Sequence, residues 1–368
     1  MPPASDRDPT LTFTPGSPYG PCSDGFPLCR SLVCDSKRGM EMNATTNRER
    51  RLAFLGYGAC FVAGCLWGTG FYFGRLALNE MSVGHMVLYR FLFACLGMLP
   101  VALVHRREFR FTTGELRLLL WCAFLGVPIQ FLLQFQGLVR TTVSHASLMV
   151  GAMPVLLAAA AALFAPKGSK EERLDLFGWL ALSASTVGAA LIVLGGSRET
   201  AALGGPTLTG DLMILASLVT SLAWILLSKK LMQTHSPLVV TAYTILSGTA
   251  MLAVWVLGPQ LLAPLTHAVV QPLPFAHVSL TAWVALAISG LFCTATTTLL
   301  WNWGIHHVPA SRAGVFLNIE PALGSWLGVK MLGEHLGPFA WAGGSLILAA
   351  ALALTTHAHE PDPAIILE

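Results

Sequence analysis

Charged residues are scarce in this chain. Asp, Glu, Lys and Arg make up 11% of its 368 residues, whereas a soluble domain carries about a quarter. Apolar residues reach 54%, and the formal net charge is only +3. The positive residues lie in short clusters between apolar runs, so we expect no nucleic-acid partner. The shortage of charge excludes an ordinary soluble domain and indicates a protein that crosses the lipid bilayer several times.

Signatures of catalysis are also missing from the sequence. It contains no HExxH zinc motif, no GxSxG nucleophile elbow and no phosphate-binding P-loop, so we expect no enzyme and no cofactor. The alternating pattern of an outer-membrane barrel is absent as well. A channel would need a ring of repeated polar groups. The scattered amides, tryptophans and single acid of the apolar runs favour a carrier with an enclosed site.

Cysteines are few, and their spacing matches no metal-binding motif. Three cysteines (22, 29 and 34) lie in an arm over residues 1–51 that is rich in Pro, Ser and Asp. The other five (60, 65, 95, 122 and 293) lie in apolar runs, where free Cys behaves as a small hydrophobe. We therefore expect no metal site and no disulfide. The arm has no periodicity and no signal-peptide pattern, so we predict a disordered cytoplasmic arm, with Met40 or Met42 as an alternative start.

Apolar runs of about 20 residues recur along the rest of the chain, each long enough to cross a hydrocarbon core of about 30 Å. Backbone groups within lipid must find partners in the same segment, so these runs are predicted to be helices. The predicted spans are residues 54–76, 84–104, 116–138, 144–165, 176–195, 209–231, 238–258, 281–303, 310–332 and 337–356.

The apolar part of the chain repeats itself. The segment from Gly137 to Pro154 has the same length as that from Gly304 to Pro321, and Met153 of the first corresponds to Glu320 of the second. A repeat of this kind predicts two halves of one architecture. We place the first five-helix half at residues 52–196, a linker at 197–208, the second half at 209–357 and a cytoplasmic tail at 358–368.

Lys and Arg are distributed unequally between alternate loops. Clusters such as Arg48–Arg51, Arg106–Arg110 and Lys229–Lys230 fall on one side, which the positive-inside rule makes cytoplasmic. Both termini are then cytoplasmic, in a bacterial-type inner (plasma) membrane. Five helices per half is an odd number, so the second half enters the bilayer from the opposite side. The predicted fold is an all-α integral membrane protein with ten transmembrane helices in two inverted five-helix repeats.

These features resemble the drug/metabolite transporter superfamily, and within it the EamA-type family. The motifs that carry the resemblance are Trp67-Gly68, Arg90, Pro154, Gly210-Asp211, Trp224, Glu320-Pro321 and Gly333-Glu334. One departure is Met153-Pro154, where the family often has Glu-Pro in both repeats. The resemblance implies a secondary carrier of small metabolites, often an exporter of amino acids or related compounds. A homodimer is one assembly open to such a chain.

Two charged residues within the predicted spans are candidates for function, because ionisable groups at membrane depth are costly. Glu320, near the middle of the ninth span, is either a protonatable or substrate-facing carboxylate or a link between helices beside Pro321. Arg90, in the second span, pairs with Glu320 or a substrate carboxylate, or extends its long stem towards the interface. Glu334 is expected to stabilise the start of the helix that follows it.

Polar and aromatic side chains of the spans are candidates for the substrate pathway. Gln130 and Gln134 share one helical stripe, and amides in lipid must face protein or water. The whole set of predicted pathway residues is Trp67, Arg90, Gln130, Gln134, Trp224, Trp301, Asn302, Asn318 and Glu320. We expect a secondary active exporter of small polar metabolites, with alternating access at the repeat interface and proton coupling through Glu320. The alternative is an uncoupled facilitator or channel-like permease.

Overall fold

The computed structural model describes residues 27–108, 110–153, 155–156, 159–160, 176–199, 206–266, 278–308 and 314–357. All regular secondary structure within these ranges is helical. The α-helices are α1 (Pro27–Leu78), α2 (Val83–Val104), α3 (Thr113–Phe124), α4 (Gln130–Leu138), α5 (Val143–Val150), α6 (Leu176–Glu199), α7 (Leu208–Leu231), α8 (Pro237–Thr266), α9 (Leu280–Gly290), α10 (Thr297–His307), α11 (Ile319–Met331) and α12 (Pro338–His357).

Short segments of other helix types interrupt this series. Two π-helical segments, Leu125–Ile129 and Leu291–Thr296, join α3 to α4 and α9 to α10. A 3-10 segment, Gly314–Asn318, leads directly into α11. Another, Arg106–Glu108, follows α2. The third helix of each predicted half therefore contains a π segment near its middle.

The N-terminal arm is described from Pro27 onward, where α1 begins and continues to Leu78. The predicted disorder of residues 1–26 falls outside the described residues. By its internal contacts the chain divides into two units, Met1–Arg51 and Leu52–Glu368. Their boundary falls at the predicted start of the membrane part.

Several helices begin at a hydroxyl side chain that accepts a hydrogen bond from the amide three residues later. Thr112, Thr142, Thr207 and Ser279 serve α3, α5, α7 and α9 in this way. Glu115 completes a capping box with Thr112. Such caps satisfy amides that have no partner within the helix, which fixes where each apolar run begins.

Six helical stretches among the described residues are long and apolar enough to cross a membrane. They are Arg50–Leu78, Val83–Val104, Thr113–Leu138, Leu208–Leu231, Pro237–Gln260 and Leu280–Ile305. Two shorter apolar helices, Leu176–Ile192 and Pro338–Ala353, lie at predicted spans five and ten. The predicted span 144–165 lies partly outside the described residues, and α5 ends at Val150. The predicted span 310–332 is interrupted where the 3-10 segment meets α11.

Small residues set the closest helix contacts. At the crossing of α6 and α12, Gly188 and Gly343 face each other so closely that a side chain on either would collide with the other's backbone. Gly324 and Gly328 of α11 likewise lie against Ser147 and Ser144 of α5. Helices in lipid associate through such close approach, because the bilayer offers no hydrophobic driving force between them.

Candidate functional site

Glu320 lies at a helix start. The sequence predicts it near the middle of a continuous span, but α11 begins at Ile319, so Glu320 is in the first turn after the 3-10 segment. An acid in the first turn complements the positive end of the helix dipole. The corresponding helix of the other half is interrupted at the same place, since α5 ends at Val150 and a turn follows at Gly151 and Ala152.

α1 passes close to this helix start. A Cβ atom at Gly68 would lie 3.1 Å from the carbonyl oxygen of Glu320, and one at Gly64 would lie 2.5 Å from that of Phe316. The glycines beside Trp67 therefore permit a close approach of the two backbones, while α1 itself stays unbroken. The Glu320 side chain is half-buried beside this contact.

Arg90 is buried within α2, with 4% of its surface exposed. Its Nε donates a hydrogen bond of 2.9 Å to the Thr294 hydroxyl. The guanidinium carbon lies 5.2 Å from the ring centres of both Phe131 and Phe135, which are cation–π contacts. The side chain is thus fixed inside the protein and does not extend to the interface.

Thr294 belongs to the π segment between α9 and α10. Its hydroxyl also donates to the Ser289 carbonyl at 3.0 Å, and the hydroxyls of Thr296 and Thr297 bond to carbonyls five residues earlier in the same way. These bonds satisfy carbonyls that the wider π turn releases from the α-helical pattern. The bond to Ser289 also holds the Thr294 hydroxyl where it accepts the hydrogen bond from Arg90 Nε.

Arg90 and Glu320 both lie beside one short stretch of α1. A Cβ atom at Gly70 would lie 3.6 Å from Nη2 of Arg90, and one at Gly68 would lie 3.1 Å from the carbonyl oxygen of Glu320. Across the part of the chain that the structure describes, however, the two do not form a direct ion pair. Two opposite charges thus share one region of the protein interior without neutralising each other by contact.

The other predicted pathway residues take different positions. The Trp67 and Trp301 rings lie 5.4 Å apart. Gln130 and Gln134 are half-buried on α4, one turn apart, on the helix that carries the two rings facing Arg90. The Oε1 atom of Gln130 is buried and accepts no hydrogen bond from any described residue.

For three of the predicted pathway residues, the surroundings favour a role in helix packing. Asn302 is buried and donates through Nδ2 to the Thr241 hydroxyl of α8, so it links two helices. Trp224 packs its ring against Gly126 of the first π segment and joins a small apolar cluster. Asn318, also buried, immediately precedes α11. Their part in a pathway stays a prediction.

Sequence reasoning missed the residues that hold Arg90 in place. Phe131 and Phe135 follow Gln130 on one short helix, and their spacing of four residues was the available signal. Thr294 is a polar residue within an apolar span, but its contact with Arg90 depends on the π segment. That segment has no sequence signature shared with its counterpart, which contains Pro128.

Glu334 stabilises a different helix from the one expected. Its carboxylate accepts hydrogen bonds from the Val143 amide (2.8 Å), the Ser144 amide (2.7 Å) and the Ser144 hydroxyl (2.6 Å), all at the start of α5. Gly333, with φ at 66°, adopts a left-handed conformation that glycine tolerates. This turn ends α11 and directs Glu334 across to the other half of the chain.

Two further contacts join helix starts to turns that are distant in sequence. Glu80 accepts bonds of 2.6 Å from both the amide and the hydroxyl of Ser279, the cap of α9. These bonds lower the pKa of the Glu80 carboxyl, so it is charged near neutral pH. At the start of α3, Glu115 accepts a 3.0 Å bond from Thr234 and lies 3.3 Å from His235.

Comparison with models of known protein families identifies the family of this chain. The model of the EamA-like transporter family matches twice, at residues 54–194 and 208–356. The chain belongs to the EamA-like transporter family. Membership, together with the apolar helices, makes it a membrane protein and indicates a transporter rather than an enzyme.

Curated proteins similar to this EamA-like chain are also described as transporters. An uncharacterized transporter of Archaeoglobus fulgidus is 23% identical over 295 residues, covering 80% of this chain and 95% of the relative. The uncharacterized transporter YyaM of Bacillus subtilis (strain 168) is 26% identical over 193 residues. That match covers 51% of this chain and 57% of YyaM, so it spans little more than half of that relative.

A solved structure shares the fold of this EamA-like protein. A protein crystal structure superposes with a TM-score of 0.55 at 17% sequence identity, covering 84% of this chain and 99% of the other. At that level of identity the similarity concerns the fold alone.

Proposed function

We propose that the chain is a secondary active transporter that exports small polar metabolites, such as amino acids, across the inner membrane by alternating access. The proposed architecture has ten transmembrane helices in two inverted five-helix repeats, over residues 52–196 and 209–357, with both termini cytoplasmic. The double match of the family model supports two repeats. The paired π segments and the interruptions at Gly151 and before Glu320 support the same division.

The observation that carries the proposal is the unneutralised pair of Arg90 and Glu320. Charge at membrane depth is costly and is retained where it meets a partner, a water-filled space or a ligand. A channel would instead present rings of like groups along its length. We infer that these two charges, the half-buried amides of Gln130 and Gln134 and the Trp67–Trp301 pair line one polar site within the apolar helices. Such a site suits a carrier that binds one solute at a time.

Proton coupling through Glu320 is part of the proposal. Glu320 is the acid in the first turn of α11, where the backbone of α1 passes close by. A carboxyl group in this position exchanges a proton only when the site opens to water, which would link protonation to the direction of access. The alternative is an uncoupled facilitator, in which Glu320 serves the fold alone.

Counterflow in proteoliposomes tests the proposal. Purified protein is reconstituted with a panel of amino acids and small polar metabolites, and uptake of labelled solute against unlabelled internal solute is followed with and without an imposed pH gradient. We expect saturable counterflow that responds to the gradient in the wild type and loses that response in Glu320→Gln. A response to the gradient that is unchanged in Glu320→Gln would contradict coupling through Glu320. Counterflow that changes neither with the pH gradient nor with the Glu320→Gln substitution would indicate a facilitator. Absence of counterflow would contradict transport of these solutes.

A further inference from the structure

One hydrogen bond orients the guanidinium of Arg90. Its Nε donates to the Thr294 hydroxyl at 2.9 Å, and across the described residues this hydroxyl is the hydrogen-bond partner of the group. The rings of Phe131 and Phe135 lie over the guanidinium carbon, each with its centre 5.2 Å away. Hydrogen bonds prefer a nearly straight arrangement of donor, hydrogen and acceptor. The Thr294 hydroxyl therefore sets the direction in which the planar guanidinium points.

The π segment Leu291–Thr296 brings Thr294 to this position. In the α-helical part of the same span, the Thr298 hydroxyl donates to the carbonyl four residues earlier, at 2.6 Å. The Thr294 hydroxyl instead donates to the Ser289 carbonyl, five residues earlier, at 3.0 Å. Each residue of an α-helix advances the chain by about 100° around the axis, so the extra residue of a π turn redirects the side chains that follow it. In an uninterrupted α-helix Thr294 would no longer face Arg90.

Helix α2 packs closely on this part of the span. A Cβ atom at Gly290, directly before the π segment, would collide with the carbonyl oxygen of Arg90. Within the π segment, the Cβ atom of Ala295 would lie 3.0 Å from one built at Gly97 of α2. The two contacts hold the π segment against α2 on both sides of Thr294. The distance between the Thr294 hydroxyl and the Arg90 side chain is thus fixed by the backbones of both helices.

We propose that Thr294 is a positioning residue for transport, and that the π segment exists in this span to present its hydroxyl to Arg90. Thr294 acts through Arg90 and not by contact with the solute. The inference deepens the proposed transport function and rests on it. A guanidinium that loses its orientation weakens the binding of solute, so the effect belongs in the half-saturation concentration of counterflow more than in its maximal rate.

Substitutions at Thr294 test this role. Thr294→Val keeps the size of the side chain and removes the hydroxyl, whereas Thr294→Ser keeps the hydroxyl. Counterflow is measured with the labelled amino acid of the panel that the wild type carries fastest. We expect Thr294→Val to raise the half-saturation concentration at least about tenfold, the effect of one lost hydrogen bond to a charged group. Thr294→Ser should restore most of the loss.

Thr296→Val is the matched control. The Thr296 hydroxyl lies in the same π segment and donates to the Leu291 carbonyl, also five residues earlier, at 2.8 Å. The substitution removes the same kind of bond to the backbone and leaves the partner of Arg90 in place. Its half-saturation concentration should match the wild type. An equal rise in Thr294→Val and Thr296→Val would assign the effect to the backbone of the π segment and contradict the positioning role.

A double-mutant cycle shows whether Thr294 acts through Arg90. In Arg90→Gln the hydroxyl no longer holds a guanidinium, so adding Thr294→Val should change the half-saturation concentration much less than it does in the wild type. Equal factors in the two backgrounds would contradict the proposal. The same cycle is measured by thermal unfolding in detergent, where the effects of the two substitutions should not add. Additive shifts in the unfolding midpoint would also contradict it.

The positioning role and the proposed transport fail in different ways. Counterflow that is saturable in the wild type and unchanged in Thr294→Val contradicts the positioning role and leaves transport intact. Coupling in the unfolding midpoints without a change in half-saturation reduces Thr294 to a residue of the fold and overturns the proposal. Absence of counterflow with every solute contradicts the proposed transport, and with it a positioning role in transport, whatever the unfolding midpoints show.

Discussion

At the scale of single residues, Glu334 shows how one carboxylate joins two helices from different halves of the chain. It follows α11 in sequence, yet it accepts three hydrogen bonds at the start of α5. The amides of a helix start have no partner within the helix. Glu334 therefore holds the α5 start against the end of α11.

We predict that Glu334→Ala lowers the stability of the protein measurably. Three donors at Val143 and Ser144 lose their acceptor, and leaving such groups unsatisfied costs about 1–3 kcal/mol. Glu334→Gln keeps one oxygen acceptor and should lose less. The measurement is the midpoint of thermal unfolding in detergent, with His335→Ala as the control, because His335 is the exposed neighbour. Equal midpoints for Glu334→Ala and His335→Ala would contradict this role.

The sequence could indicate Glu334 as a capping residue but not its partner. An acid after a helix and before an apolar run predicts a cap on the next helix, which is the nearest one along the chain. The partner is set by the packing of α11 on α5, which depends on glycine and serine contacts between the halves. Arg90 is a similar case, since its polar partner Thr294 lies 204 residues further along the chain.

At the scale of helices, sequence patterns located the elements but not their interruptions. Six of the predicted spans coincide with described helices that are long and apolar enough to cross a membrane, because hydropathy over about 20 residues is a strong signal. The π segments and the 3-10 start of α11 were not predicted. The two π segments differ in sequence, since one contains Pro128 and the other contains Thr294 and Thr296. Because the two repeats form their π segments from different residues, no common sequence motif marks these segments.

The contact between α1 and α11 gives a prediction at this scale. A Cβ atom at Gly64 would lie 2.5 Å from the Phe316 carbonyl oxygen, so Gly64→Ala forces the helices apart beside Glu320. We expect lower stability, by about 1–3 kcal/mol as in overpacked cores, together with slower counterflow. Both are measured on the purified variant, by unfolding midpoint and by initial rate.

Gly58→Ala is the matched control for this contact. Gly58 lies on the same helix, and no atom lies within 4 Å of a Cβ built there. Alanine favours a helix over glycine by up to about 1 kcal/mol, so this variant should be as stable as the wild type or slightly more stable. A Gly64→Ala variant that behaves like Gly58→Ala would contradict the close approach of α1 to the Glu320 helix start.

At the scale of the whole molecule, two contacts hold helix starts to distant turns. Glu80, between α1 and α2, bonds to Ser279 at the start of α9. Glu115, at the start of α3, contacts Thr234 and His235 after α7. Helices α1, α2 and α3 are joined by short connections, so consecutive spans run in opposite directions. In the proposed topology the two contacts lie at opposite faces of the bilayer, and the proposed alternating access requires each to open in turn.

Alternating access is tested most directly when one face is held closed at a time and counterflow is measured. Cysteines are placed at Glu80 and Ser279 in one variant and at Glu115 and His235 in another, and each pair is joined with a short, cleavable thiol cross-linker. Single-cysteine variants and the cross-linked wild type serve as controls. We expect either link alone to stop counterflow and its cleavage to restore counterflow. Counterflow at the wild-type rate with a face held closed would contradict alternating access between the two faces.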